Sequence, residues 1–110
     1  MKLRTTAYLR RRRRALLKQL PPLDAILRGS IIERYKRCGK PGCKCAQGAG
    51  HGPKYYLSVS KPGVRPEMDY IPLDYHEQVV RFLSNHRRVR QILEEICEIN
   101  RELIRRKQKL

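Results

Sequence analysis

Residues 74–107 contain neither glycine nor proline, and this absence constrains the fold of the 110-residue chain more than any other feature. Asp74 and Glu77 have the spacing of an N-terminal capping box, so a long helix is predicted to begin at Asp74. Apolar residues recur at intervals of three and four along it and form a heptad seam, with Asn85 as its polar member: Phe82, Val89, Ile92, Ile96, Ile99 and Leu103.

This heptad seam has two interpretations. A two-stranded coiled coil has a narrow seam, whereas Leu83, Leu93 and Ile104 broaden this one. The extra width favours packing inside the chain, and Cys97, beside the seam, is expected to be a small core residue. The alternative is a homodimer, or a complex with another protein, that forms through the seam residues.

The first twenty residues form a basic arm without any acidic residue. Leu9, Leu16 and Leu20 share a stripe among good helix formers, which predicts a helix that ends before Pro21. Five consecutive arginines lie within it: Arg10, Arg11, Arg12, Arg13 and Arg14. Because these charges repel one another, we expect the helix to form fully only on a polyanion or against a packed neighbour.

Residues 38–53 are rich in glycine and proline and have almost nothing to bury, so a hydrophobic core cannot order them. Four metal-ligating residues lie there within a span of fourteen: Cys38, Cys43, Cys45 and His51. Four bases flank the thiols and favour their deprotonated form: Lys36, Arg37, Lys40 and Lys44. Three thiolates and an imidazole suit tetrahedral zinc, so we predict one structural Zn²⁺, with His76 or a water as alternatives to His51.

The predicted metal loop contains no aspartate or glutamate that could serve as an acid or a base. A catalytic zinc would also leave one coordination position open, whereas four protein ligands close the site. We therefore expect that the protein is not an enzyme.

β-Branched and aromatic residues predict strands over residues 30–37, 54–60 and 67–72, with a Pro62-Gly63 turn between the last two. The expected fold class is α+β, in one structural domain with three parts. A basic helix or arm covers residues 1–20, and a three-stranded antiparallel meander with the zinc loop between strands 1 and 2 covers residues 21–73. The long carboxy-terminal helix covers residues 74–110.

The formal net charge is +16, from 26 Lys and Arg against 10 Asp and Glu, and a field of this sign attracts polyanions. Nucleic acid, with DNA favoured over RNA, is the expected partner, bound mainly through phosphates. The alternative partners are an acidic protein and an anionic membrane surface. Of these two, membrane association is not expected. The candidate contacts are the five arginines, the four bases that flank the thiols, and Lys54, Tyr55 and Tyr56.

Tyr55 and Tyr56 are adjacent, so they point to opposite faces of a strand. One of them is expected in the core, and the other can stack on a nucleobase, as can Tyr35 and Tyr70 on the other predicted strands. The sequence leaves open which of Tyr55 and Tyr56 is exposed.

No apolar run approaches the ~20 residues that span a bilayer, and the first residues lack the apolar region of a secretory signal. The expected location is the cytoplasm, or the nucleoid if DNA is the partner. The arginine-rich start is also similar to a transit peptide, so import into an organelle is the alternative. In a reducing compartment, clustered cysteines indicate metal binding rather than disulfides.

The segment from Cys38 to Ala46 (CGKPGCKCA), followed by His51 to Tyr56 (HGPKYY), resembles the signature of a family of short, basic prokaryotic proteins of unknown function. The resemblance extends from Leu20 to Arg106 and includes a Leu-Pro-Pro segment before the cysteines. It implies a zinc-binding protein of mobile-element or viral surroundings, without an established activity. The arginine run of this chain departs from the family pattern.

Overall fold

The computed structural model describes residues 3–36 and 51–110. These residues form α1 (Thr6–Lys18), β1 (Ser30–Lys36), β2 (His51–Val59), β3 (Glu67–Ile71), a 3-10 turn (Leu73–Tyr75) and α2 (His76–Arg105). The predicted α+β class is confirmed, because along the chain a short helix is followed by a three-stranded antiparallel sheet and then by a long helix. In the part of the chain described, no helix has the length and apolar character needed to cross a membrane.

The start of the long helix differs from the capping box predicted at Asp74. Leu73–Tyr75 form a 3-10 turn after Pro72, in which the Tyr75 backbone amide donates to the Pro72 carbonyl at 2.9 Å. Asp74 therefore lies inside this turn, and α2 begins two residues later. A capping-box pattern cannot distinguish an α-helix from a 3-10 turn that leads into it.

The described residues divide into two compact units, which we call the hairpin unit (Met1–Ile26 and Ser84–Leu110) and the sheet unit (Leu27–Leu83). In the hairpin unit, Leu9 and Leu16 of α1 are buried with three seam residues of α2: Ile92, Ile99 and Leu103. The Thr5 hydroxyl caps α1 by accepting the Tyr8 amide at 3.0 Å. The basic arm is thus a helix against a packed neighbour.

The residues predicted to broaden the seam have different environments. Leu83 is buried in the sheet unit, whereas Leu93 and Ile104 are exposed. Cys97 is also exposed, so its expected place in the core is wrong. Within the hairpin unit, α1 covers only one stripe of α2. Residues of α2 that lie about 100° further around its helix axis are therefore left uncovered.

The sheet unit has the strand order β1-β2-β3, and its core consists of Leu57, Ile71 and Leu83. Gly29, just before β1, has a φ of 141°, and a Cβ atom there would lie 2.7 Å from the Ser58 carbonyl oxygen. Glycine is therefore required where the chain enters the sheet.

Candidate nucleic-acid interface

The sheet has two faces of different composition. Residues directly opposite each other on neighbouring strands point to the same face, so the pairs Ile32–Tyr56 and Tyr56–Tyr70 share one face. Tyr55, Leu57 and Ile71 point to the other, where the core lies. We call the first the outer face, and the register places these described residues on it: Ser30, Ile32, Arg34, Lys54, Tyr56, Ser58, Met68 and Tyr70.

The two adjacent tyrosines point to opposite faces of the sheet, as predicted, and both are partly buried. Tyr55 packs against the sheet core, and its ring centroid lies 4.4 Å from that of His76. Tyr56 lies on the outer face, with its ring 5.7 Å from the Tyr70 ring in an edge-to-face arrangement at 66°. Of the two candidates, Tyr56 is therefore the one on the face away from the sheet core.

Charge is also segregated between the two faces. The Arg34 guanidinium lies over the Tyr56 ring at 5.6 Å from its centroid, and exposed Lys54 is directly opposite Arg34. The acidic residues of the strands are Glu33, Glu67 and Asp69. All three point to the core side, because each lies directly opposite a core-face residue of β2 in the strand register. Among the described residues, the outer face thus carries bases and no acid.

The five consecutive arginines of α1 have unequal environments. Arg12 donates two hydrogen bonds to the Glu95 carboxylate, at 2.6 Å and 3.1 Å, and Arg13 donates to the Asn100 side chain at 2.6 Å. Arg10 donates to the Lys109 carbonyl at 2.8 Å. The hydrogen bond from Arg12 holds the pKa of Glu95 below its usual value, and the same bond raises the pKa of Arg12. Three of the five arginines therefore fasten α1 to the carboxy-terminal segment.

The other two arginines, Arg11 and Arg14, are exposed and have no ion-pair or hydrogen-bond partner within the described ranges. With exposed Lys18 they recur at intervals of three and four, which places them on the side of α1 away from Leu9 and Leu16. We call Arg11, Arg14 and Lys18 the basic ridge. At 1.5 Å per residue the ridge extends over about 10 Å.

A second charged group near the end of α2 also serves the fold. Glu102 is only 5% exposed and accepts hydrogen bonds from Arg106 at 2.8 Å and Arg105 at 3.0 Å. The hydrogen bond from Arg106 contributes most, and with that from Arg105 it holds the pKa of Glu102 below its usual value. Its negative charge is thus compensated inside the chain.

Most of the predicted metal loop lies outside the described residues. This part includes three of the predicted metal ligands, Cys38, Cys43 and Cys45, and three of the predicted phosphate contacts, Arg37, Lys40 and Lys44. The backbones of Lys36 and His51, which border the loop, are directly opposite each other in the β1–β2 ladder. Elsewhere, in residues 3–36 and 51–110, no cluster of His, Cys, Asp or Glu could hold a metal ion.

The sequence places Tyr70 and Arg34 on predicted strands but does not join them to Tyr56. Their proximity depends on strand register, which no local pattern in β1 or β3 specifies. Lys18 could have been found from its spacing, because it lies four residues after Arg14 on a predicted helix.

A family model described as a domain of unknown function (DUF6788) matches residues 6–81. This region includes α1, the three strands and the first turns of α2, which is more than half of the chain. The expected relationship to a family of unknown function is confirmed, whereas the zinc signature stays a prediction. No curated protein and no solved structure matches the chain.

Proposed function

The chain belongs to the DUF6788 family, whose function is unknown, and we propose that it is a small zinc-binding protein that binds nucleic acid mainly through phosphate contacts. DNA is the favoured partner over RNA, and no catalytic role is proposed.

The observation that carries the proposal is the basic ridge. Its three cations are exposed and uncompensated among the described residues, in a chain of net charge +16. Each phosphate that a cation neutralises releases condensed counterions, which favours binding at low salt. Arg12 and Arg13 contribute indirectly, because their bonds to Glu95 and Asn100 hold α1 in place.

The role of the basic ridge can be tested by comparing two double variants, one that removes two charges from α1 and one that removes two charges from α2. Arg11→Gln with Arg14→Gln should reduce the salt dependence of duplex DNA binding by about 0.9 in log–log slope for each lost phosphate contact. The matched control, Arg87→Gln with Arg90→Gln, removes two exposed arginines of α2. Equal losses in both double variants would mean that net charge alone determines binding. Absence of salt-dependent binding by the unmodified protein would refute the proposal.

The zinc part of the proposal rests on donor chemistry and on the loop ends. Three thiols and His51 would supply the four donors that a tetrahedral zinc site needs, and the β1–β2 ladder joins the two ends of the segment that contains the thiols. Bound zinc would keep the thiols deprotonated and order a segment that has almost no apolar side chains. We expect about one zinc per chain by elemental analysis and its loss in Cys43→Ser, whereas Cys97→Ser should retain it. A chain purified under metal-replete conditions without zinc would contradict this.

A protein-interaction module is the alternative function, and the seam homodimer stays a prediction. Ile92, Ile99 and Leu103 are already fully buried within one chain. The exposed residues Leu93 and Ile104 of α2 favour a contact beside the seam instead. Sedimentation of the full chain distinguishes these possibilities: a dimer that dissociates in Leu93→Ser with Ile104→Ser would support the alternative.

A further inference from the structure

We propose that the outer face of the sheet binds unpaired bases of single-stranded nucleic acid by stacking on Tyr70 and Tyr56, with Arg34 and Lys54 contacting the adjacent phosphates. This inference rests on the proposed function and specifies its substrate as a single strand.

The first observation is the presentation of the aromatic rings. Tyr70 is 56% exposed, and the edge-to-face contact with Tyr56 limits its orientation. Half-buried Ile32 and Met68 are on the same face, directly opposite Tyr56 and Ser58 in the ladders. An exposed ring whose orientation is limited in this way offers a surface on which any base can stack, since every base has a π-face.

The second observation is an arrangement that folding alone does not favour. Arg34 and Lys54 are directly opposite each other on neighbouring strands, and like charges in this position are destabilising. A phosphate bound between them would offset the repulsion. The strand carboxylates could have done so from within the chain, but the register directs Glu33, Glu67 and Asp69 to the other face.

Together these features favour a single strand over a duplex. In a duplex the bases are stacked on each other, so an aromatic side chain on the face of a sheet reaches only the backbone and the groove edges. A single strand offers alternating nucleobases and phosphates. The nucleobases match the tyrosines, and the phosphates match the basic side chains of Arg34 and Lys54. An acidic protein would satisfy the charges but would not require the aromatic rings.

The experiment measures fluorescence anisotropy of the zinc-replete full chain with a labelled thymidine oligonucleotide, an abasic oligonucleotide of equal length and a duplex, all at one salt concentration. Tyr70→Leu should weaken binding to the thymidine strand about tenfold, towards the level of the abasic strand, without changing duplex binding. Tyr70→Phe, which retains the ring, should bind as the unmodified protein does.

Tyr75→Leu is the matched control, because Tyr75 is also 56% exposed but lies in the 3-10 turn outside the sheet. Its binding should be unchanged. Equal affinities for all variants, or equal losses in Tyr70→Leu and Tyr75→Leu, would overturn the stacking inference while the phosphate-binding function stands. Absence of binding to every oligonucleotide would refute both. Capture of an acidic peptide that requires Arg34 and Lys54 but not the Tyr70 ring would favour a protein partner and overturn the inference.

Discussion

The hairpin unit and the sheet unit handle charge in different ways. In the hairpin unit, several charged groups are paired within the chain, as in the Arg12–Glu95 and Arg106–Glu102 ion pairs. In the sheet unit, Lys61 pairs with Glu67, but the other strand charges are separated by face. Arg34 and Lys54 therefore lie together with no carboxylate of the described strands on their face. The count of basic residues therefore does not locate a binding surface. Only the residues left without internal partners, or segregated to one face, can define it.

The two cores also differ in how completely they are sealed. Leu16, Ile92, Ile99 and Leu103 of the hairpin unit have no exposed surface, whereas Leu57 in the sheet core retains 8% exposure. Truncation of a buried side chain in the core of the hairpin unit should therefore leave a cavity that water does not reach. The largest loss of stability is expected there.

Leu16→Ala should lower the free energy of unfolding by about 2–5 kcal/mol, because it removes a fully buried side chain from the hairpin core. Urea denaturation followed by circular dichroism measures the loss. Leu17→Ala is the control, since Leu17 is adjacent but 56% exposed, and it should change stability by less than about 0.5 kcal/mol. Similar losses in the two variants would show that α1 does not pack through the Leu9–Leu16 stripe.

Gly29→Ala should destabilise the protein by about 1–3 kcal/mol, since the new Cβ would meet the Ser58 carbonyl oxygen at a positive φ. Gly63→Ala provides the comparison, because Gly63 also has a positive φ, of 72°, but has no atom within 4 Å of the added Cβ. The same denaturation measurement should give the smaller loss for Gly63→Ala. The reverse order would mean that the entry of the chain into β1 is not as described.

The smallest effect is expected from Glu95→Gln, and it should depend on pH. The hydrogen bond from Arg12 holds the pKa of Glu95 in the folded protein below its usual value. The ion pair therefore stabilises the fold fully above the pKa of the unfolded chain, and this contribution is lost as the pH falls through the folded-state pKa. The stability difference between the unmodified protein and Glu95→Gln should be constant near neutral pH and shrink in acid. Glu94→Gln removes a neighbouring carboxylate that has no hydrogen-bond partner among the described residues, and its effect should be smaller at pH 7. A pH-independent difference for Glu95→Gln would argue against the ion pair.

Local patterns in the sequence predict the elements of this fold well. The absence of glycine and proline after Asp74 indicates the long helix, and the Leu9–Leu16 spacing gives the buried stripe of α1. The period of a helix does not tell how many neighbours cover it, which is why Cys97 is exposed rather than in the core.

The candidate site was less predictable because its contacts join distant parts of the chain. Arg12 and Glu95 are separated by 83 positions, so nothing near the arginine run distinguishes Arg12 from Arg11. Likewise, the assignment of Tyr56 rather than Tyr55 to the outer face depends on the register of β2 with its neighbours.

The division of the hairpin unit between the two ends of the chain affects the order of events during synthesis. Residues 27–83 are contiguous, so the sheet unit can assemble as soon as Leu83 has left the ribosome. Leu9 and Leu16 must wait for Ile92, Ile99 and Leu103, which are made after the sheet unit. During that interval Arg12 and Arg13 lack their partners Glu95 and Asn100, so the nascent arm presents all five arginines to surrounding RNA. Completion of α2 then pairs part of that charge, and the affinity of the arm for polyanions should be higher before α2 is made than after.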